Sequence, residues 1–232
     1  MVFATRSFAT RAAGLAFCAL PMLAADEDKH RLQASSDVLN EIMAANDKSI
    51  PADLFHKAHC VIVVPNMKKA GLVVTAKYGK GFATCRNPGG TGWTAPAAMR
   101  VEGGGVGAQI GAEETDLIMF VMSKKGEDGL LASKFTIGGE ASAAAGPVGR
   151  DATAQTDATF KADILSWSRS RGVFGGVSLQ GGTLRPDEDG NKGVYGKASD
   201  NKDILTGKVK MPVDGNGFVD TVAKYGGAVE QR

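Results

Sequence analysis

The stretch from Gly138 to Gly182 constrains the fold more than any other part of the chain. It opens GGEASAAAGPVGRDATAQTDA, a run dominated by small residues. Such residues bury little area each, so a run of them marks a place where backbones, or a flat group, approach closely. From Ile164 onward the pattern alternates. Ile164, Ser166, Ser168 and Ser170 fall on one side, and Leu165, Trp167, Arg169 and Arg171 on the other. Val173, Phe174, Val177 and Leu179 then resume an apolar pattern. This predicts two strands joined at Gly172.

The rest of the chain supports a sheet. Glycine is frequent, at 31 of 232 residues, and aromatics make up only 6%, a balance that favours strands, bulges and turns over a helical bundle. Cys60–Val64 (CVIVV) is a short β-branched run and reads as a buried strand ended by Pro65. Asn66-Met67-Lys68-Lys69 reads as a turn, with a returning strand over Gly71–Lys77. Tyr78–Gly81 reads as a second turn into Phe82–Arg86. Leu117–Met122 is a buried segment whose periodicity does not separate strand from helix. Helices are expected over Asp26–Asn46, with Leu32, Leu39, Ile42 and Met43 on one face, and over Pro51–Ala58 after a Ser49 cap. Short helices are also expected over Glu127–Ser133, Asp200–Leu205 and Gly217–Tyr225. Leu184 and Val194–Tyr195 read as a strand pair across a turn from Pro186 to Gly193. No repeat or linker divides the chain. The expected fold is a single α+β domain, sheet-rich and mainly antiparallel, curved or barrel-like, with helices mostly near the N-terminus.

Residues 1–25 carry Arg6 and Arg11, then an apolar run from Ala12 to Leu23, then Ala24-Ala25 before Asp26-Glu27-Asp28. This is the layout of a secretory signal peptide, with a mitochondrial presequence as the competing reading. It makes residues 26–232 the mature domain, secreted or periplasmic and at most peripheral on a membrane. Cys18 follows Phe17 rather than a small residue, which speaks against acylation there. Without the leader the chain has 25 basic and 25 acidic side chains. A neutral domain lacks the broad positive field of a nucleic-acid binder, so attraction to an anionic partner must come from a local patch.

Signals for catalysis and for cofactors are weak. His56-x-x-His59-Cys60 offers three potential ligands but no second pair to complete a zinc site. Asp187, Asp189 and Asn191 imitate the start of a calcium loop, but Lys192 stands where that loop needs glycine. Gly103–Gly111 lacks the dinucleotide-binding spacing, and Ser178 is not in a nucleophile elbow. The expectation is a non-enzymatic chain without metal or cofactor. Cys60 and Cys85 lie in or at the ends of neighbouring strands. They are a disulfide in an oxidising compartment, worth roughly 3 kcal/mol by chain entropy, or two buried thiols. Among the cations, Lys68 and Lys69 share the expected turn, Arg150 follows a Gly-Pro-Val-Gly bend, and Arg169 and Arg171 share a strand face. Cations so placed suit a phosphate or lipid head group, with arginine binding bidentately and lysine as a point charge.

Several ordered blocks resemble the SYLF domain, also called the Ysc84 actin-binding family: VPNMKKAGLVV at 64–74, YGKGFATCR at 78–86, GWTAPA at 92–97, GGGVGAQIGAEETDLIMFVM at 103–122, AAGPVGRDA at 144–152 and WSRSRGVFGGVSLQG at 167–181. The resemblance is strongest over residues 50–206. Trp167 stands where the family more often has tyrosine, a change that keeps an amphipathic ring. The resemblance implies a lipid-binding module, since family members bind membrane lipids, notably phosphoinositides, and in fungi some bind and bundle actin. The five cations above are the candidate head-group contacts on their own chemistry. The expected partner is an anionic lipid or membrane surface, with a protein partner as the alternative and nucleic acid excluded.

Overall fold

The structure is a computed structural model, and it describes residues 20–45, 49–71, 74–89, 91–106, 111–149, 161–170, 173–179 and 181–227. Its centre is one sheet of nine strands: β1 (Cys60–Gly71), β2 (Val74–Cys85), β3 (Ala97–Val106), β4 (Gly111–Val121), β5 (Phe135–Thr136), β6 (Ala143–Ala145), β7 (Ile164–Ser170), β8 (Val173–Gly176) and β9 (Thr183–Pro186). The order across the sheet is β5-β9-β3-β2-β1-β4-β7-β6, with β8 also on β7. All pairings are antiparallel except β6 on β7. Helices are α1 (Leu20–Ala44), α2 (Ala52–Lys57), α3 (Lys124–Leu130), α4 (Glu188–Tyr195), α5 (Asn201–Leu205) and α6 (Asn216–Gly226). Two precede the sheet in the chain, three follow it, and α3 lies between β4 and β5.

The sheet has to curl. β5 and β6 stand at opposite ends of an eight-strand path that would be about 34 Å wide if flat, at ~4.8 Å per strand. Only Ile137–Ser142 joins them, a reach of at most about 25 Å. The two ends are brought together at this crossing, where Ile137 bridges Ala141. A second crossing from β8 to β9 is tied to the first: Ile137 N–H donates to Gly182 O at 2.8 Å and Gly181 N–H to Ile137 O at 2.9 Å. The result is a half-barrel.

Curling gives the sheet two buried faces. Val61, Val63, Phe82, Ile118, Phe120, Leu165 and Trp167 face a core shared with α1, α2 and α6. Cys60, Ile62, Val64, Met99, Leu117, Met119, Val121 and Ile164 fill the inside of the curl. An unbroken apolar run such as CVIVV or LIMFV is what a strand buried on both faces requires, and this decides that Leu117–Val121 is strand. α1 lays Leu32, Val38, Leu39 and Ile42 on the outer face. It begins at Leu20, inside the expected leader; residues 1–19 lie outside the described part.

The small residues of the organising stretch have specific neighbours. A Cβ on Gly146 would lie 2.0 Å from the Trp167 indole, and one on Gly176 would lie 2.1 Å from Gly146 O. Trp167 is fully buried, its Nε1–H donates to Pro147 O at 2.9 Å, and its ring meets Phe120 edge-on at 4.9 Å. The glycines are there because backbone lies directly on the indole and on the neighbouring strand.

Three local expectations are corrected. Asn66–Lys69 is no turn: β1 runs on to Gly71. Tyr78–Gly81 is no turn either, and β2 is continuous from Val74 to Cys85. The segment expected as a hairpin turn, Pro186 to Gly193, instead enters helix α4, so Val194 and Tyr195 are helical. Glu188 and Asp189 in the first turn and Gly196 at φ 68° beyond the end are ordinary helix signals. They were overshadowed by Gly190 and Gly193. Both glycines are required by packing, since added Cβ atoms would lie 2.8 Å from Asp187 Oδ2 and 2.2 Å from Asp28 Oδ2. Asn191 pins the helix to β3 by accepting from Ala98 N–H at 2.8 Å.

Asp163 joins α3 to β6 and β7. It accepts from Ser123 Oγ, from Ser142 N–H at 2.8 Å and from Ser142 Oγ at 2.9 Å, while Ser123 caps α3 through Gly126 N–H. Burial pushes the Asp163 carboxyl up, but these donors outweigh it and hold it below the usual aspartate range. A carboxyl lowered in the folded state stabilises above its unfolded pKa and loses that contribution as pH falls through the folded value. Asp163→Asn is therefore expected to cost about 1 kcal/mol at pH 7. The gap to wild type should close in acid, as read from urea melts at both pH values; an equal gap at low pH would show that the carboxylate charge is not the cause.

Candidate functional site

The extended ends of β1–β4 reach past the core, and one irregularity arranges their side chains. Val63 pairs with Phe82 but Lys68 with Tyr78, and Val64 pairs with Leu117 but Met67 with Thr115. Against both neighbours the register slips by one residue, which defines a β-bulge in β1 at Pro65-Asn66. Asn66 has φ 49°, a left-handed conformation that asparagine tolerates, and its N–H donates to Asp116 Oδ1 at 3.0 Å. The bulge presses β1 onto β2, where Gly79 and Gly81 stand; a Cβ on Gly81 would lie 2.0 Å from Val63 O.

A one-residue slip exchanges the faces. Met67 remains inside the curl, so Lys69 follows it there and Lys68 turns to the helix side. Lys69 stands directly opposite Lys77 on β2 and Glu113 on β4, while Lys68 stands opposite Tyr78 and Glu114. Lys68 and Tyr78 are exposed, and Lys69 and Lys77 are half-buried. None of the three lysines forms an ion pair with a carboxylate among the described residues. Like charges directly opposite across strands destabilise a sheet, so the Lys69–Lys77 pair is a place where an anion would relieve repulsion.

On the helix side, a groove of about 450 Å³ opens between α1 and the β1–β2 ends, bordered by Arg31, Asn66, Lys68, Tyr78 and Lys80. Lys80 Nζ lies 2.8 Å from Asp187 Oδ2. Burial works against the Lys80 charge, but the Asp187 carboxylate more than reverses this and holds the amine above its usual range. Arg31 is shared between Glu27, at 2.6 Å, and the buried Asp28. The groove thus presents cations beside Glu27, and one of them, Lys68, forms no ion pair among the described residues, with Glu114 opposite it on β4.

The candidate cations are separated by the fold. Lys68 and Lys69 are neighbours in sequence but face opposite sides. Arg169 is held by Asp116, at 2.7 Å, and by Glu41 of α1, so it fastens α1 to β7 and β4 with its charge matched. Arg150 and Arg171 lie outside the described residues. Cys60 and Cys85 are bonded to each other, as direct partners across β1 and β2. His56 and His59 diverge: the first meets Gly226 O and the second Glu127, at 2.8 and 2.9 Å. No group of three metal-ligating side chains occurs among the described residues. Sequence reading missed Lys77, Tyr78, Lys80 and Arg31. Lys77 was recoverable, because a hairpin centred near residue 73 puts it opposite Lys69.

The fold is a curled, helix-backed sheet whose long strand ends border a groove lined mainly by cations. A family model described as Ysc84, Las17-binding protein actin regulator, matches residues 102–225, and the chain belongs to this family. It is 38% identical to an SH3 domain-containing protein of Schizosaccharomyces pombe over 154 residues, 65% of this chain and 36% of that protein. It is 33% identical to Protein YSC84 of Saccharomyces cerevisiae over 178 residues, 75% of this chain and 37% of the relative. It is 31% identical to human SH3 domain-containing YSC84-like protein 1 over 188 residues, 80% of this chain and 54% of the relative. The chain thus spans from about a third to about half of these relatives' length. The family description names a binding protein and a regulator, which describes interaction rather than catalysis.

Proposed function

We propose that this chain is a non-enzymatic module that docks on anionic lipid head groups, using Lys68, Lys69 and Lys77 at the ends of β1 and β2. The observation that carries this reading is the cross-strand Lys69–Lys77 pair, with Lys68 beside it on the other face and no salt bridge from any of the three to a described carboxylate, although Glu113 and Glu114 stand opposite on β4. Lysines at strand ends suit a phosphate as point charges, and an anionic membrane attracts each by about 1 kcal/mol near its surface. Arg150 and Arg171 remain candidates for the same role, whereas Arg169 serves mainly to hold α1. The leader-like residues 1–25 and the Cys60–Cys85 bond support export to an oxidising compartment, where the partner would be an envelope phospholipid.

Vesicle co-sedimentation tests this. The chain is expected to pellet with phosphatidylcholine vesicles containing phosphatidylglycerol, and not with phosphatidylcholine alone. Moderate salt should weaken pelleting because exposed charges are screened. Lys69→Ala with Lys77→Ala should reduce it at least tenfold. Equal pelleting on neutral vesicles, or no change in the double variant, would refute the charge-based reading. A second reading, docking of a protein partner through the same face, is favoured by the family description as a Las17-binding actin regulator. Co-sedimentation with actin filaments in the absence of lipid separates the two.

A further inference from the structure

The helix-side groove is backed by a cluster of four charges, its two acids buried, that surface docking does not explain. Asp28 of α1 is 5% exposed and Asp187, before α4, is 2% exposed. Arg31 pairs with Asp28, and Lys80 with Asp187. The cluster joins α1, β2 and α4; its two buried acids match two bases, and the exposed Glu27 at the groove also pairs with Arg31. Its space is provided by Gly193, where an added Cβ would strike the Asp28 carboxylate. Both bases, Arg31 and Lys80, also border the groove that Lys68 flanks. The carboxylates face away from solvent and the cations face the groove, so any loss of negative charge in the cluster appears as positive charge at the groove.

We propose that Asp28 is a proton-operated control of this groove: protonating it frees Arg31 from one of its two carboxylates and adds a unit of positive charge where an anionic surface docks. The proposal rests on the lipid reading above and supplies its regulation. Asp28 is the member placed to respond. Burial raises its carboxyl above the usual range, aided by the Asp187 charge and opposed by Arg31 and Lys80. The charged groups around it are Glu27, Lys29, His30 and Arg31 on α1, Lys80 on β2, and Asp187 ahead of α4. Asp214 is engaged by Lys29 at 3.1 Å. His30 also lines the groove and is mostly exposed, 3.8 Å from Asp26, so the test replaces it. Protonation of Asp28 leaves the apolar seat of α1 at Leu32, Leu39 and Ile42 in place, so the change is electrostatic and does not unfold the helix.

Two measurements on the full chain test this. In the first, binding to phosphatidylcholine vesicles containing phosphatidylglycerol, whose charge is constant over this range, is followed from pH 7.5 to pH 5. Wild type and His30→Gln should both tighten as Asp28 takes up its proton, by up to about fivefold, the effect of one added charge near an anionic surface. Asp28→Asn in the His30→Gln background should bind at pH 7.5 as tightly as His30→Gln does with Asp28 protonated, and show no further dependence. A pH response that survives in this double variant, or that vanishes in His30→Gln alone, overturns the proposal. In the second, the side-chain carboxyl carbon of Asp28 is titrated by NMR without lipid. A midpoint above the ordinary aspartate value, with the Lys80 and Arg31 signals moving in step, supports the control. A midpoint at or below that value overturns it whether or not vesicles bind. Absence of vesicle binding at every pH, with the NMR midpoint raised, instead sinks the lipid reading.

Discussion

Replacing Trp167 with alanine is expected to remove about 4 kcal/mol of stability, a large part of the 5–15 kcal/mol typical of a whole domain. Trp167 is buried completely, and the loss has three sources. The indole fills the helix-side core between Phe120 and the backbone at Gly146, just after β6. Pro147 O loses its donor in a buried site, and an orphaned acceptor costs about 1–3 kcal/mol. The close approach of Gly146, made for a flat ring, becomes a void. Trp167→Phe should recover part of the packing but leave Pro147 O unpaired, falling between wild type and alanine. Gly146→Ala should also destabilise, since its Cβ would sit 2.0 Å from the ring, and much less so in a Trp167→Ala background. Urea denaturation of the four variants gives the coupling directly. Additive losses would show that the glycine and the indole do not share one contact.

Arg86→Ala is expected to cost about 3 kcal/mol and to loosen the C-terminal helix selectively. The Arg86 guanidinium reaches backbone oxygens instead of a carboxylate: Ala58 O at 3.3 Å, His56 O at 3.1 Å, Gly226 O at 2.9 Å and Gly227 O at 2.8 Å. These are the ends of α2 and α6, where unpaired carbonyls and the helix dipoles concentrate negative potential. One planar cation therefore closes two helices onto the end of β2. Its face also covers Trp93 at 4.0 Å. Lysine offers a point charge without the fork, so Arg86→Lys should rescue less than half of the loss. Hydrogen exchange should show α6 amides losing protection before those of β1 and β4. Uniform loss across the sheet would mean that Arg86 supports the core as a whole rather than the helix ends.

Neither arginine with a structural task could be told from a ligand-binding one in sequence. Arg169 shares its chemistry with Lys68 and Lys69, but Glu41 and Asp116, which match its charge, lie 128 and 53 residues away. Arg86 closes a strand in sequence and caps two helices in space. In sequence the bulge at Pro65-Asn66 resembles a turn, because proline and asparagine followed by lysines mark turns in most settings. A bulge uses the same residues to bend a strand without ending it. Strand alternation separates Lys68 from Lys69, and that single extra residue decides that Lys68 rather than Lys69 faces the helices.

The sequence by itself determined the local and periodic features: the β-branched runs as strands, the alternation through Ile164–Ser170, the amphipathic face of α1, the sheet-rich α+β class, and the Ysc84 resemblance carried by ordered blocks. These follow from properties of adjacent residues, which the pattern of side chains records directly. Only the tertiary structure decided that the sheet curls until its ends meet, that β1 slips by one residue, and that Asp28, Arg31, Lys80 and Asp187 form one buried cluster. It also decided which cations are matched by carboxylates and which stand open. Those outcomes depend on contacts between residues far apart in the chain, where burial and a partner's charge, rather than residue type, set what a side chain can do.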